Sequence, residues 1–180
     1  MTGFVNEVVC AAIIAQIQVD EGGVKDVGDG MGVTRYGQTD GWLTQYGLPR
    51  PTSPEMAAQN WRDWMRMTKL DQITGLNQPL AHAVADWAAM SGVSVAVRAL
   101  QGAVGASQDG ILGPETIAAV AHADQVRVAH RLLERRRRAY LETALATVDQ
   151  TVMQASKLKF ILGWNDRCAR DLAEVHGVTL

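Results

Sequence analysis

One carboxyl group stands where it could act as a catalytic acid. Glu21 follows Asp20 and precedes Gly22 and Gly23, at the end of an apolar run that begins at Phe4. Because a glycine pair after a helical pattern is a typical helix stop, Glu21 is predicted to lie at a helix C-terminus. The partial negative charge of that terminus and the charge of Asp20 both favour the protonated carboxyl, so we expect a raised pKa. A carboxylic acid that keeps its proton near neutral pH is what a glycosidase needs as its general acid.

The segment after Glu21 is rich in glycine and carries further polar side chains. Eight of the 17 glycines lie between residues 22 and 47, so this backbone is predicted to form a loop or short hairpin. Glycosidases place two carboxyl groups, or one carboxyl and a positioned water, across the bond that they cleave. A metal-free turn rich in aspartate and glycine is the alternative, and the acid spacing does not fit an EF-hand calcium loop. The polar candidates here are Asp26, Asp29, Thr34 and Tyr36.

This pattern resembles the opening motif of glycoside hydrolase family 108, which comprises phage endolysins and bacterial muramidases. The shared features are Glu-Gly-Gly, a short loop with Asp, a glycine pair, and Thr-x-aromatic-Gly. The chain departs from the family pattern in a shorter loop, in a glycine pair split by Met31, and in Gln38 where the family has Ile. The resemblance implies that Glu21 is catalytic. It leaves Asp29 as the first choice for the second catalytic residue, ahead of Asp26 and Thr34.

Two later motifs extend the resemblance over almost the whole chain. Residues 109–116, Asp-Gly-Ile-Leu-Gly-Pro-Glu-Thr, are similar to a repeat of peptidoglycan-binding modules. A well-built helix–turn–helix corner with no wall contact is the alternative interpretation. Residues 160–167, Phe-x-x-Gly-Trp-x-x-Arg, resemble the closing motif of family 108 and are interpreted as structural.

Helical patterns dominate the rest of the sequence. Ser53-Pro54-Glu55 is a helix start, and Asp124 is a capping residue. Helices are predicted over residues 4–19, 54–69, 79–90, 93–104 and 125–147, with another that starts at Pro114. With 180 residues, of which 47% are apolar, we expect one mainly α, lysozyme-like domain with a small glycine-rich loop or β-hairpin beside Glu21. Residues 1–75 would carry the catalytic motif, and residues 76–180 a peptidoglycan-binding-like half packed against it.

Aromatic residues flank the glycine-rich segment. Trp61 and Trp64 share a helical stripe with Ala57 and Met65, which is typical of a core, although a platform for sugar rings is the alternative. The residues predicted to contact substrate are Asp26, Tyr36, Trp42 and Tyr46.

Charge is unevenly distributed along the chain. The net charge is −2, but residues 121–180 hold 10 basic and 7 acidic residues. The run from Arg135 to Arg138 lies in a predicted helix, where four consecutive side chains point in nearly all directions. We expect a solvated face with ion pairs to Glu134 and Glu142, and attraction to the anionic cell envelope is a second possibility. His82 and Asp86 are predicted to form a local hydrogen bond on one helix face, with a metal or acid–base site as the alternative.

The cysteines and the N-terminus bear on the compartment. Cys10 is predicted to be a small buried hydrophobe, and a single bridge to Cys168 stays open. The N-terminus lacks the basic start of a signal peptide, and the apolar run over residues 8–19 is too short to span a membrane. We therefore expect synthesis in the (host) cytoplasm without a signal peptide. Action on the cell wall or periplasm would follow release, through a holin if the resemblance to phage endolysins holds.

The resemblance implies a muramidase that cleaves the β-1,4 bond between N-acetylmuramic acid and N-acetylglucosamine. Glu21 would protonate the departing oxygen, and Asp29, helped by Thr34, would position water or stabilise the cation-like sugar. No metal or organic cofactor is implied, and we expect a monomer that binds peptidoglycan glycan strands without stable membrane insertion. A non-catalytic peptidoglycan-binding or virion-associated protein is the alternative. Binding of nucleic acid through the arginine run is disfavoured by the negative net charge and the lack of a groove-reading motif.

Overall fold

The computed structural model describes residues 11, 14–15, 24–26, 33–75, 78–148, 163, 166–173, 175 and 177. The chain divides into two compact units, Met1–Gly75 and Leu76–Leu180. The described part is mainly helical with one small sheet. This confirms the predicted fold class, mainly α and consistent with a lysozyme-like fold. The predicted packing of residues 76–180 against residues 1–75 stays a prediction.

The first unit contains a three-stranded antiparallel sheet in the order β1-β2-β3. Val24 of the first strand pairs with Arg35, and Thr34 of the second strand pairs with Thr39. The predicted loop or hairpin is therefore a small sheet. Its strands are β1 (Val24–Asp26), β2 (Val33–Arg35) and β3 (Gln38–Thr39).

Little of the predicted first helix is described. Ala11, Ile14 and Ala15 are helical, and Ile14 is buried. The other residues of that helix, including Cys10, lie outside the described residues.

A short helix, α1 (Asp40–Tyr46), follows the sheet directly. The sequence predicts an irregular glycine-rich segment here, and this prediction is wrong for residues 40–46. Both ends of the helix have clear start and stop signals. The Thr39 side chain accepts a hydrogen bond from the Trp42 amide, and Gly47 closes the helix at a φ of 63°. These caps stabilise a helix that the single Gly41 does not break.

The second helix of this unit, α2 (Pro54–Met67), begins where the sequence predicts. Ser53 caps it by accepting a hydrogen bond from the Met56 amide at 3.3 Å. Its predicted apolar stripe is confirmed, since Ala57, Trp61, Trp64 and Met65 are all buried. A 3₁₀ helix, Leu70–Gly75, ends the unit.

The second unit is a set of packed helices. They are α3 (Gln78–Ser91), α4 (Val93–Val104), α5 (Pro114–His122) and α6 (Gln125–Val148), and residues 166–173 are also helical. Gly92 and Gly105 have φ angles of 94° and 76°, so each supplies a positive-φ residue at which one helix ends and the chain changes direction. Helices α3, α4 and α6 pack on one another, with Val84, Leu100 and Leu132 fully buried.

Helix α6 has the predicted cap and buries an apolar face. Asp124 accepts a hydrogen bond from the Arg127 amide at 3.1 Å. Leu132 and Leu133 are fully buried, whereas Leu141 is 43% exposed. Within the described residues, no helix combines the length and the hydropathy that a membrane crossing requires.

Candidate functional site

The sheet carries part of the predicted catalytic motif. Glu21 and Asp29 lie outside the described residues. Thr34 lies in β2, and Asp26, the last residue of β1, pairs with Val33, the neighbour of Thr34. The backbones of these two polar candidates are therefore side by side in the sheet.

The turn between β2 and β3 holds Tyr36 in an unusual backbone conformation. Tyr36 and Gly37 are its two central residues, with φ angles of 51° and 79°. Positive φ at both positions is typical of the type I′ turns that join hairpin strands. This conformation is normal for glycine, whereas it costs a bulky residue on the order of 1 kcal/mol or more. A tyrosine in this strained position indicates that its ring has a role beyond the turn.

Tyr36 lines a pocket of about 430 Å³ in the first unit. The other lining residues are Arg35, which precedes the turn, and the segment Arg50, Pro51 and Thr52. Two guanidinium groups, a phenol and a hydroxyl give this pocket several hydrogen-bond donors. Such a lining suits a ligand rich in oxygen atoms.

One of these guanidinium groups is tied to helix α1. Arg50 Nε lies 3.1 Å from Asp40 Oδ1, with the arginine side chain 69% exposed. An exposed pair of this kind contributes little to stability. Its effect is to orient Arg50 at the pocket.

A buried amide pair supports the wall of the pocket. Gln38 and Asn60 are 0% and 2% exposed. Asn60 Nδ2 donates to Gln38 Oε1 and to the Pro49 carbonyl, each at 2.8 Å, and Gln38 Nε2 donates to the Ala57 carbonyl at 2.8 Å. Since Pro49 directly precedes Arg50, these bonds fix the segment that carries the guanidinium group. In the sequence, Gln38 marks only a departure from the family pattern, but a polar Asn60 on the apolar stripe of α2 is a signal of such a network.

Four aromatic rings cluster between α1 and α2. The Trp42 centroid lies 5.4 Å from that of Tyr46, 4.6 Å from that of Trp61 and 5.7 Å from that of Trp64. Trp61 and Trp64 are 2% and 0% exposed, so their interpretation as core residues is correct. Trp42 and Tyr46 are half-buried, so part of each ring stays accessible. Their contact with substrate stays a prediction.

The second unit buries a network of charged side chains. Asp86 of α3 and Arg136 of α6 are 1% and 0% exposed, and Asp86 Oδ2 lies 2.6 Å from Arg136 Nη1. Arg167 Nη1 lies 3.3 Å from Asp86 Oδ1, and Asp171 Oδ2 lies 3.4 Å from Arg136 Nη1. His82 Nδ1 lies 3.8 Å from Asp171 Oδ1. The network joins α3, α6 and the helical residues 166–173.

The pKa shifts of Asp86 and Arg136 favour their ionised forms. Burial raises the pKa of Asp86, but the charges of Arg136 and Arg167 outweigh burial, and the net pKa is lowered. Burial lowers the pKa of Arg136, but Asp86 and Tyr140 reverse this, and the net pKa is raised. Burial raises the pKa of Tyr140, whose hydroxyl accepts a hydrogen bond from Arg136 Nε at 2.9 Å. The network is thus a stable set of matched charges.

One prediction from the sequence is corrected by this network, and another stays a prediction. The local bond between His82 and Asp86 stays a prediction, while both side chains are buried and each has a partner on another element. Arg136 is predicted on a solvated face and is fully buried. The closing motif is structural at Arg167, as predicted, because that side chain pairs with Asp86.

Cys168 lies in the same interior as a free, buried thiol. Burial raises its pKa, which disfavours the reactive thiolate. Among the described residues, no group of three or more His, Cys, Asp or Glu side chains is arranged to hold a metal ion.

The Asp-Gly turn forms a helix–turn–helix corner, as the sequence predicts. Gln101, 1% exposed, places Nε2 at 2.7 Å from Asp109 Oδ1 and 3.0 Å from Thr116 Oγ1, and accepts from the Gly110 amide at 2.9 Å. Hydrogen bonds from the Ile111 amide and from Gln101 lower the pKa of Asp109. The corner is therefore built by one buried glutamine, and its contact with the wall stays a prediction.

A groove of about 1010 Å³ in the second unit is lined mainly by α4 and α6. Apolar lining comes from Trp87, Ala99 and Ala139. We call it the arginine groove, because its charged lining residues are Arg98, Arg131, Arg135, Arg138, Glu134 and Glu142.

The arginine run on α6 is divided among three environments. Arg136 is buried, Arg135 and Arg138 line the arginine groove, and Arg137 is exposed elsewhere. The prediction that the four cannot meet one partner is confirmed. The predicted ion pairs with the two glutamates do not form within the described residues.

Comparisons with known proteins agree with an association with peptidoglycan. Residues 95–169 match a family model described as a predicted peptidoglycan domain, and this match lies within the second unit. A solved structure, that of Brucella abortus SagA, matches with a TM-score of 0.70 and 27% sequence identity, over 95% of this chain and 95% of that chain. No curated protein matches the chain in sequence. These findings support a peptidoglycan-associated protein, and the resemblance to glycoside hydrolase family 108 stays a resemblance.

Proposed function

We propose that this peptidoglycan-associated protein is a muramidase that hydrolyses the β-1,4 bond between N-acetylmuramic acid and N-acetylglucosamine. The observation that carries the proposal is Tyr36. This residue lines a polar pocket from a left-handed backbone position, in the turn between β2 and β3 that comes after the Glu21 motif in sequence. Strained residues of this kind cluster at functional sites.

In the proposed reaction, Glu21 is the general acid and protonates the departing glycosidic oxygen. Asp29, with Thr34, positions the attacking water or stabilises the cation-like sugar. No metal or organic cofactor takes part in these steps. The enzyme would act on the wall or periplasm after release from the (host) cytoplasm.

The described residues of the first unit supply the proposed substrate contacts. Arg35, Arg50 and Thr52 line the pocket and would donate hydrogen bonds to sugar oxygens. The accessible parts of Trp42 and Tyr46 would pack on the apolar faces of sugar rings. Asp26 would contact the substrate from the end of β1.

A non-catalytic peptidoglycan-binding or virion-associated protein is the second candidate. One observation favours it: the match to the peptidoglycan family model covers residues 95–169, and none of the predicted catalytic residues lies there. In this case the first unit would have the lysozyme-like fold but would not hydrolyse the glycan.

The two candidates are separated by one pair of assays on purified peptidoglycan. Release of reducing ends reports hydrolysis, and sedimentation with the insoluble polymer reports binding. Glu21→Gln should lower release by about 100- to 10,000-fold, the usual contribution of a general acid, without reducing sedimentation. Glu115→Gln, the same change at an exposed position in the first turn of α5, is the matched control and should release reducing ends like the wild type.

Each outcome decides between the candidates. Wild-type release by a folded Glu21→Gln protein would exclude the proposed mechanism. Sedimentation of the wild type without any release would favour the non-catalytic protein.

A further inference from the structure

We propose that the arginine groove of the second unit binds the peptide stems of peptidoglycan through their carboxylate groups. The inference rests on the proposed function, because the stems belong to the same polymer as the glycan. It does not depend on the chemistry of Glu21.

The first observation is the charge of the arginine groove. Four guanidinium groups and two carboxylates line it, an excess of two positive charges in a chain whose net charge is −2. Within the described residues, Arg131, Arg135 and Arg138 form no ion pair with a carboxylate. A guanidinium group without such a partner presents a planar fork of N–H donors that matches a carboxylate.

The second observation is that two of these guanidinium groups contact the C-terminal end of α4. Arg131 Nη1 donates to the Ala103 carbonyl at 3.5 Å. A side chain at Gly102 would lie 2.6 Å from Arg135 Nη1, so the missing Cβ lets this group lie against the last turn of α4. Positioned donors lose less conformational entropy when a ligand binds than freely rotating ones.

The spacing of the charges fits a short peptide. Arg131 and Arg138 are seven residues apart on α6, which is about 10.5 Å along the helix axis. An extended peptide covers that distance in about three residues. The two arginines could therefore meet carboxylates on different residues of one stem.

The alternation of sign favours a peptide over a polyanion. Glu134 lies between Arg131 and Arg138, and Glu142 lies one turn beyond. A nucleic acid backbone carries only negative charge, so both glutamates would repel it. A stem peptide contains alanines, a glutamate and a diamino acid, so it offers carboxylates to the arginines, an amine to a glutamate, and methyl groups to the apolar lining.

The test is a calorimetric titration of the full chain with a synthetic stem peptide, L-alanyl-γ-D-glutamyl-diaminopimelyl-D-alanine. Arg138→Gln should weaken binding about 1.5- to fivefold, the range for one exposed charge pair. Arg137→Gln is the matched control, because it removes the same charge from the neighbouring exposed position outside the groove. It should leave the affinity unchanged. Circular dichroism checks that both variants are folded.

A second comparison identifies the groups that bind. Converting the carboxylates of the peptide to amides should weaken its binding to the wild type and remove the difference between wild type and Arg138→Gln. Gly102→Ala, which displaces the Arg135 guanidinium group, should weaken binding of the unmodified peptide.

Three results would overturn the inference. One is no binding of the peptide. Another is equal weakening by Arg137→Gln and Arg138→Gln, which would indicate a general charge effect. The last is that Arg138→Gln weakens the binding of peptide-free glycan strands or duplex DNA but does not weaken the binding of the stem peptide.

The Glu21→Gln protein separates this inference from the proposed function. It should bind the stem peptide like the wild type. If Glu21→Gln loses lysis but keeps peptide binding, the proposed role of the arginine groove still holds. If the wild type lyses the wall but does not bind the peptide, only the proposed muramidase activity holds.

Discussion

The two units bury polar side chains of different kinds. In the first, Gln38 and Asn60 are neutral amides whose partners include backbone carbonyls. In the second, Asp86, Arg136 and Arg167 are charged and paired with one another. A neutral amide needs only a hydrogen-bond partner when buried, whereas a buried charge is destabilising by several kcal/mol when its partner is removed.

This difference predicts a different sensitivity in each unit. The second unit depends on matched charges between α3, α6 and residues 166–173, so the loss of one charge should weaken the fold strongly. The first unit uses small contacts to shape a pocket around a strained turn. Changes there should affect stability less and ligand binding more.

The largest effect on stability is expected at the centre of the charge network. Asp86→Ala leaves Arg136 and Arg167 buried without their shared partner, and should lower the free energy of unfolding by about 3–5 kcal/mol. Urea unfolding followed by circular dichroism measures this change. Arg137→Ala removes an exposed charge from the same helix as Arg136 and should change stability by no more than about 0.5 kcal/mol.

Acid titration sharpens the same prediction. Burial raises the pKa of Asp86, but its arginine partners lower it further, so the folded pKa is below the unfolded one. The stabilisation by Asp86 is therefore complete above an unfolded pKa of about 3.9, and is lost as the pH falls through the folded pKa. The difference in the free energy of unfolding between wild type and Asp86→Ala should therefore become smaller as the pH falls below about 3.9. A constant gap, or a loss of under about 1 kcal/mol at neutral pH, would contradict the role given to this network.

A smaller loss is expected from the neutral network of the first unit. Asn60→Ala removes the donor to Gln38 Oε1 and to the Pro49 carbonyl, and should lower the free energy of unfolding by about 1–3 kcal/mol. Gln59→Ala is the control one residue away, since its hydrogen bond to Asp63 is exposed. Equal losses in the two variants would show that the buried amide has no special role.

The smallest change in stability is expected at the strained turn. Asparagine tolerates positive φ better than tyrosine, so Tyr36→Asn should leave the free energy of unfolding unchanged or raise it by up to about 1 kcal/mol. Its affinity for purified peptidoglycan, measured by sedimentation, should nevertheless fall. Lys69→Asn is the control, because Lys69 also has a positive φ, of 61°, and lies outside the pocket lining. If Tyr36→Asn lowers the free energy of unfolding but binds purified peptidoglycan like the wild type, then the tyrosine ring acts only in the turn.

Local signals made most helices predictable from the sequence. Ser53 and Asp124 cap helices where expected, because capping depends on a few neighbouring residues. The glycines after α3 and α4 end those helices for the same kind of reason. Helix α1 is missed, because a glycine-rich composition hides the pair of caps at Thr39 and Gly47.

Contacts between distant residues were less predictable. Arg136 pairs with Asp86 and Asp171, and nothing in a run of four arginines indicates which one turns inward. Gln38 and Asn60 are 22 residues apart, and their bond depends on how β3 meets α2. Within the candidate site, Tyr36 lines a pocket, while the catalytic roles of Glu21 and Asp29 stay predictions.

The most direct test of the proposed function is the release of reducing sugar from purified peptidoglycan by the wild type and Glu21→Gln, measured side by side. If Glu21 is the general acid, the wild type should release reducing sugar, and Glu21→Gln should release it about 100- to 10,000-fold more slowly. Both proteins should be folded and should sediment with the polymer. Equal release by the two proteins would contradict it.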